Sequence, residues 1–540
     1  MRKYLILIVI LILAGILRLF NLASNPPGLT WDEAAFGYNA YSILLTGRDE
    51  YGSFLPINLK SFGDYKPALY AYIDIPFIAL LGLNELAVRL PSALFGIGTV
   101  FLTFLLVLEL FKNKPSALFS AFFMAISPLS IQFTRPGYEI GLALFLTMSG
   151  TLFFIKGLIN QKLLILSAIS FGLTLFTYQS SRLFTPLLIV SLLLIYRKQI
   201  VFSKYSQISI VVLTLFGILL LPTFFTGQAN RLQAMNFFAY QRTTESVNLI
   251  AQEDGMNKDY FIFKILHGEW WSYTKGLAER YLIYFSPKLL FIEGDYNERH
   301  RVPDLGVFYY FSLILIPMGL INFIRKKGLG RNVLLAWFLL APLPAILSRD
   351  LVQTSRAFNM VLPFVILEAE GFYFLFSRLK ASKIFYVAPI IILLLLFNFT
   401  LYLDRYFIHA PKEYSEFWLY GYKEIFTKLP DLQKYDRVII SDKYGQPYIY
   451  YLFYTKYPPA QFQKQAVLDQ PTPDVGTVRK IDNLEFKHIN ISGDVNFKKT
   501  LIVDTFEEVP NNQKNNVRIL KETKFLNGLP AFRIMETNEI

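Results

Sequence analysis

Long apolar blocks recur along this chain of 540 residues. A helix needs roughly 17–25 consecutive apolar residues to cross a bilayer. Stretches of this kind fall near 4–20, 89–111, 116–134, 140–159, 163–179, 183–196, 207–224, 306–324, 331–348, 357–377 and 384–402. The pattern predicts an α-helical polytopic membrane protein with about 11 transmembrane helices. The composition agrees: 54% of residues are hydrophobic and 17% charged, against about 45–50% and about 25% in a soluble domain. A disordered chain, a collagen-like chain and a conventional cytosolic enzyme are excluded as the whole answer. The chain has no cysteine, which excludes disulfides, thiolate zinc sites, iron–sulfur clusters and a cysteine nucleophile. Four histidines leave little room for a multi-histidine metal site.

The net charge of +13 resembles a nucleic-acid signature until the charges are located. One set of inter-block loops is short and basic: Arg2-Lys3, Lys112/Lys114, Lys156/Lys162, Arg197-Lys198, Arg325-Lys326-Lys327 and Arg378/Lys380/Lys383. The alternate set is longer and mixes Asp, Glu, Tyr, Trp and Arg. The positive-inside rule assigns the first set to the cytoplasm. Much of the basic excess is therefore a topology signal, and no nucleic-acid partner is expected.

Ala68–Leu83 is apolar but short, and it carries Asp74 and Pro76. Counted as a span, it would move most basic loops outside, so parity predicts an interfacial or re-entrant segment. The first block could be a signal peptide, but Arg18 follows its apolar core and no clean cleavage site precedes Asn25-Pro26-Pro27. An uncleaved first span is expected. The N-terminus is then cytoplasmic and the C-terminus extracytoplasmic, in the cell membrane. Residues 1–405 form the transmembrane domain, with a first outer loop at 21–88 and a long outer loop at 225–305. Beyond it, VIIS (438–441), TLIVDTF (500–506) and AFRIM (531–535) alternate with polar stretches. They predict a small soluble α/β domain over 406–540, tethered outside the membrane. YGQPYIYYLFYTKY (444–457) fits either helix or strand.

The polar clusters fall on the outer side of this topology. Trp31-Asp32-Glu33 follows the first span; the pair reads either as a functional carboxylate site or as the first turn of a helix capped by Thr30. Lys66, in Gly63-Asp64-Tyr65-Lys66-Pro67, reads as a phosphate-binding cation or a snorkelling lysine. Arg135-Pro136-Gly137-Tyr138-Glu139 and Tyr178-Gln179-Ser180-Ser181-Arg182 occupy successive outer loops. Glu293-Gly294-Asp295-Tyr296-Asn297-Glu298-Arg299-His300 closes the long loop, and Ser348-Arg349-Asp350 and Ser355-Arg356 lie on a later one. An ion pair or headgroup contacts at span ends are the plain reading of the Arg135–Glu139 and Tyr178–Arg182 clusters. Together they gather carboxylates, cations and aromatics at one membrane face. A transporter or lipid-linked sugar flippase would instead place ionisable groups at mid-bilayer or show paired helix breaks. Sugar transfer from a polyprenyl phosphate suits the outer face. A cation stabilises the phosphate leaving group, and a carboxylate takes the acceptor proton.

The ordered motifs resemble a known group. WDEAAFGYNA resembles the acidic hallmark of GT-C type membrane glycosyltransferases, specifically the protein O-mannosyltransferase and lipid A aminoarabinose transferase superfamily. DYKPALYAY is similar to its lysine-proline motif, and ELAVRLPSALFG (85–96) to its arginine-proline span entry. SPLSIQFTRPGYE (127–139) and FTYQSSRLFTPL (176–187) resemble its next outer-face motifs. SPKLLFIEGDYNERHRVPDLGVFYY (286–310) and QTSRAFNMVLPFVILEAEG (353–371) resemble bacterial members. The resemblance spans residues 1–405.

It implies Asp32 as the catalytic carboxylate and general base, with Glu33 organising the site. Lys66 is implied to bind the donor phosphate, with Arg135, Arg182 or Arg356. Tyr65, Tyr70, Glu139, Tyr178, Asp295 and Arg299 are the further candidates for substrate contact. The implied donor is a polyprenyl-phosphate sugar, transferred with inversion. The implied acceptor is a lipid, glycan or protein hydroxyl, a glycolipid or envelope polymer ahead of Ser/Thr of secreted proteins. Membrane lipids are the remaining partners. In aminoarabinose transferases the residue before the lysine is acidic and helps hold a metal; here it is Tyr65. No metal site is assigned and no cofactor is required, although a divalent cation stays open with His267 and His300 as weak ligands.

The topology is directly checkable. Reporter fusions at Asn113, Gln161, Gln199 and Gly328 should read cytoplasmic, and fusions at Lys60, Gly137, Leu290 and Tyr450 external. A cytoplasmic reading at Gly137 or Leu290 would make Ala68–Leu83 a true span and invert the assignment.

Overall fold

A computed structural model describes residues 4–225, 243–378, 381–472, 475–495, 497–506 and 517–537. The part of the long outer loop at 226–242 lies outside them. The chain is mostly helical. It begins with α1 (Leu5–Leu19) and α2 (Trp31–Thr46), then a hairpin of β1 (Asn58–Ser61) and β2 (Asp64–Pro67), then α3 (Leu69–Leu81). There follow α4 (Glu85–Phe111), α5 (Lys114–Ile126), α6 (Pro128–Thr134), α7 (Glu139–Gly157), α8 (Leu163–Thr174), α9 (Ser181–Tyr196) and α10 (Lys204–Leu220).

Among the described residues, five helices are long and apolar enough to cross a membrane: α4, α7, Leu329–Ile346, Phe358–Arg378 and Tyr386–Glu413. Six result if the bent pair α5–α6 is one span. Shorter apolar helices, α1, α3, α8, α9, α10 and Ser312–Arg325, accompany them. Every apolar block read from the sequence falls on one of these helices, but eleven crossings are not reached by helices of spanning length. The chain is a membrane protein by this architecture. Leu5, Ile6, Ile8, Val9 and Ile12 of α1 are exposed, an apolar face that suits lipid contact.

The bend between α5 and α6 is 56°. Ser127 caps α6, its hydroxyl accepting from the Ser130 amide, and Pro128 cannot supply a helical N–H. Arg18 takes up the polarity this break leaves. Its guanidinium, fully buried, donates to the Met124 and Ala125 carbonyls at 3.2 and 3.0 Å, to Ser130 Oγ at 2.9 Å and to Thr134 Oγ1 at 3.1 Å. A buried cation in an apolar bundle is tolerated only with such partners.

The C-terminal segment carries a six-stranded mixed sheet of order β6-β7-β3-β8-β10-β9. Its strands are β3 (Arg437–Ser441), β6 (Lys480–Ile481), β7 (Leu484–Lys487), β8 (Thr500–Asp504), β9 (Val517–Lys524) and β10 (Pro530–Thr537); β4 (Leu468–Thr472) and β5 (Val475–Val478) form a separate hairpin. β3 pairs in parallel with β7 and β8, and the β8-β10-β9 side is antiparallel. The segment that fitted helix or strand is the helix Pro447–Thr455.

Tethering is the wrong picture for this segment. Its helix residues Tyr448, Ile449, Tyr450, Leu452 and Phe453 share one apolar core with Phe36 and Tyr38 of α2, Tyr70 of α3 and Val88 of α4. Tyr450 donates to the Leu29 carbonyl at 3.0 Å, and the Tyr38 hydroxyl to that of Tyr457 at 2.9 Å. Gly37 permits the contact: a Cβ there would lie 2.6 Å from both Phe453 and Val88. The sheet is thus docked on the elements that carry Asp32. The alternation read in its strands gave no hint of this, because an aromatic helix face looks the same whether it covers its own sheet or a neighbour.

Candidate active site

Asp32 is placed by the way α2 begins. Thr30 and Glu33 form a reciprocal capping box: Thr30 Oγ1 accepts from the Glu33 amide at 3.2 Å, and Glu33 Oε2 accepts from the Thr30 amide at 2.9 Å. The capping reading and the site reading therefore describe one arrangement, since the cap fixes the turn from which Asp32 projects. Glu33 does more. Its Oε1 accepts from Arg89 Nε and from the Gly137 amide, both at 2.9 Å. Arg89, from the arginine-proline motif in α4, also donates to the Leu22 and Pro26 carbonyls at 3.1 and 2.8 Å and to Gly28 O. Both side chains are fully buried. Glu33 is thus occupied in holding α2, α4 and the 137 loop together.

Lys66 arrives from the other direction, on β2. The hairpin register sets Lys66 opposite Leu59 and Tyr65 opposite Lys60. Lys66 Nζ pairs with Asp32 Oδ1 and sits 4.7 Å from the Phe62 ring centroid. The lysine side chain is 14% exposed and the aspartate 39%, so the pair opens to one side. That side is a cavity of about 500 Å³. Asp32, Lys66, Glu139, Tyr178, Arg299 and Arg356 all line it, and from Lys66 onward each is separated from the next by at least one apolar helix in sequence. Arg356 also pairs with Asp350 at 3.1 Å, and Arg299 lies over the Trp31 ring at 4.8 Å. Burial pushes the Tyr178 phenol above its ordinary pKa, with Arg356 pulling the other way.

The remaining candidates lie elsewhere, each for a local reason. Arg135 is fully buried; it donates to the Leu17, Phe20 and Asn25 carbonyls at 2.7, 2.8 and 2.8 Å and lies over the Tyr406 and Phe407 rings. It staples the end of α1 and does not reach the cavity. Arg182 donates to the Leu175 carbonyl at 3.1 Å and to Asn58 Oδ1 at 3.0 Å, bracing β1. Tyr65 is left off the cavity wall by strand alternation, which sends neighbouring side chains to opposite faces; its carbonyl accepts from Gln179. Tyr70 is buried, with its hydroxyl on the Val88 carbonyl at 2.9 Å and its ring against Phe36.

Asp295 is buried behind the wall and not on it. It accepts from the Asn297 amide at 2.9 Å and from the Thr354 amide and hydroxyl, both at 2.6 Å. Its Oδ2 lies 3.5 Å from Nδ1 of His300, and His300 does line the cavity. Burial opposes ionisation of Asp295, yet His300, Asn297 and Thr354 hold its carboxyl below the ordinary carboxylate range. His300 was legible only as a weak metal ligand; its place five residues after Asp295 was the available signal. Among the described residues no group of three or more His, Asp or Glu side chains is placed to hold a metal, and His267 pairs with Asp254 instead. Gly445 and Gln446 of the C-terminal segment also line the cavity. Gln446 donates to the Gly476 carbonyl at 2.9 Å, and the Gly476 amide to the Phe62 carbonyl at 2.5 Å. The Gly-Gln-Pro turn was the sequence signal for this loop, and nothing in it pointed toward the membrane half.

The bracing role of the buried pair has a measurable consequence. Arg89→Met strands the Glu33 charge and several carbonyls, which should cost about 3–5 kcal/mol and lower the thermal unfolding midpoint of the detergent-purified protein. Adding Glu33→Gln to that variant should restore part of the loss. An unchanged midpoint in Arg89→Met would contradict the role.

Residues 65–222 match the family model described as dolichyl-phosphate-mannose-protein mannosyltransferase. No curated protein matches the chain. Among solved structures, the oligosaccharyltransferase of Archaeoglobus fulgidus in the apo form is similar, with a TM-score of 0.54 and 12% identity over 94% of this chain and 70% of that one. ArnT from Cupriavidus metallidurans bound to undecaprenyl phosphate is similar with a TM-score of 0.52 and 10% identity, over 99% of this chain and 97% of that one. These likenesses show that the chain shares its fold with those two membrane-embedded structures.

Proposed function

We propose that the protein transfers a sugar from a polyprenyl-phosphate donor to an acceptor hydroxyl, at the outer face of the cytoplasmic membrane, for a glycolipid or envelope polymer. The observation that carries this reading is the Asp32–Lys66 pair at the wall of a cavity that also receives Arg299, Arg356 and His300. A carboxylate beside several cations fits a reaction that takes a proton from one substrate and leaves negative charge on the other. The ArnT structure similar to this fold is described with undecaprenyl phosphate bound, which supports the same donor class here.

In the proposed step the acceptor oxygen attacks the anomeric carbon from the face opposite the phosphate. The C1–O bond breaks, and its electron pair goes to the departing phosphate oxygen. Asp32 takes the acceptor's proton. Lys66, Arg356 and His300, with Asp295 behind it, stabilise the phosphate charge. Lys66 also pairs with Asp32, so a phosphate that draws Lys66 away leaves the carboxylate open to the acceptor hydroxyl as the donor arrives. The single displacement inverts the anomeric centre. A protein Ser/Thr acceptor is the second reading, favoured by the protein mannosyltransferase description of the matching family model.

Asp32→Asn keeps the shape and removes the base, so sugar transfer should fall by about 10²-fold or more with donor binding largely kept. Lys66→Ala should weaken both donor binding and turnover. Both variants are to be assayed at matched expression, with binding and transfer measured separately. Near-normal transfer by Asp32→Asn would refute the base assignment and direct attention to Glu139, the other carboxylate on the cavity wall.

A further inference from the structure

A second cavity, of about 740 Å³, adjoins the first. Trp31, Asn297, Arg299, Gln353 and Gly445 line both, so the two share a wall built around the Arg299–Trp31 stack. Their charges differ. In the first, Lys66, Arg299 and Arg356, together with His300, face Asp32 and Glu139. In the second, Arg299 and Lys443 face Glu298, Asp350 and Glu416. A phosphate is drawn to the first and gains nothing from the second.

The second cavity is rich in rings. Besides Trp31 it is lined by Tyr296, Phe417 and Tyr444; Tyr296 is 54% exposed and Phe417 44%. Isolated exposed rings need no explanation, but rings and carboxylates on one concave surface suit a ligand with C–H faces and hydroxyl rims. The shared wall supplies a further sign. Gln353 Oε1 is buried and has no hydrogen-bond partner among the described residues. A buried acceptor of this kind is costly unless something donates to it, and a hydroxyl is such a donor. Its backbone amide is already engaged, donating to the Tyr284 hydroxyl at 2.9 Å, which anchors the backbone from which the side chain projects.

We infer that this second cavity binds the acceptor as an uncharged saccharide. The sugar faces lie on Trp31, Tyr296 and Phe417, and a ring hydroxyl donates to Gln353 Oε1. The inference rests on the proposed transfer reaction and adds the acceptor's class and seat. Trp31 immediately precedes Asp32 in α2, so a sugar stacked on Trp31 stands next to the base, with the donor phosphate beyond the shared wall. The C-terminal segment contributes Phe417, Lys443 and Tyr444 to this seat, which gives its docking on α2 a use.

The test uses the full-length protein in lipid nanodiscs, with two titrations run side by side. One uses a set of neutral oligosaccharides of glucose, galactose and mannose, read by saturation-transfer NMR. The other uses undecaprenyl phosphate, read by calorimetry. At least one saccharide should bind. Its affinity should drop about fivefold to tenfold in Tyr296→Ala and in Phe417→Ala, and also in Gln353→Leu, while undecaprenyl-phosphate affinity in Tyr296→Ala and Phe417→Ala, both off the first cavity, stays within twofold of the parent. Absence of saccharide binding, or saccharide binding indifferent to all three variants, overturns the assignment. So does a Ser/Thr-rich peptide, titrated in the same variants as a control, that binds and loses affinity where saccharides do not. Loss of undecaprenyl-phosphate binding in the parent protein would instead count against the donor reading, and the saccharide titration would still decide this seat.

Discussion

The site depends on a buried ion pair that never touches the cavity. Glu33 and Arg89 are both excluded from solvent, and between them they tie the start of α2, the first turns of α4, the carbonyls after α1 and the Gly137 amide. Such a pair is costly to bury and is retained only when its hydrogen-bonding capacity is filled, as here. Its effect is geometric. With Glu33 locked inward, the residue before it in the helix is turned outward, and Asp32 meets the lysine that the β1–β2 hairpin brings back across 34 positions of sequence. The acidic pair therefore divides its labour: one carboxylate builds the frame and the other faces the cavity.

The apolar blocks were legible because span length is a hard requirement of the bilayer, and each of them is a helix. The convergence of Asp32 and Lys66 was legible from motif order. Arg135 was not. A cation at a span end has the same sequence signature whether it faces a ligand or caps the carbonyls of a neighbouring helix, and Arg135 does the latter with Leu17, Phe20 and Asn25. Arg182 and Tyr70 misled for the same reason, since each is spent on a backbone or side-chain acceptor inside the protein. Tyr65 was separable in principle: a period of two along β2 cannot turn Tyr65 and Lys66 to one face. The docking of the C-terminal sheet lay beyond the sequence. The Tyr-rich helix 447–455 is buried on both sides, and only the three-dimensional arrangement says that one of those sides belongs to α2.

Once the frame is set, electrostatics sorts the remaining groups. Basic side chains from three separate segments gather near Asp32, and the adjoining cavity reverses the balance. Charge alone can therefore direct a phosphate to one side and a neutral partner to the other, with Trp31 and Arg299 between them. In the proposed reaction that separation does chemical work. It seats the acceptor beside Trp31 and the base, while the leaving group stays among the basic side chains of the first cavity.

The proposed reaction cleaves a sugar–phosphate bond on a polyprenyl carrier. The most direct measurement incubates the purified protein and its acceptor fraction with a panel of polyprenyl-phosphate sugars and scores released polyprenyl phosphate against glycosylated product. The account predicts that at least one donor is consumed, with one polyprenyl phosphate released for each sugar transferred. Transfer from a nucleotide sugar in the absence of any polyprenyl carrier, with every lipid-linked donor left intact, would contradict it.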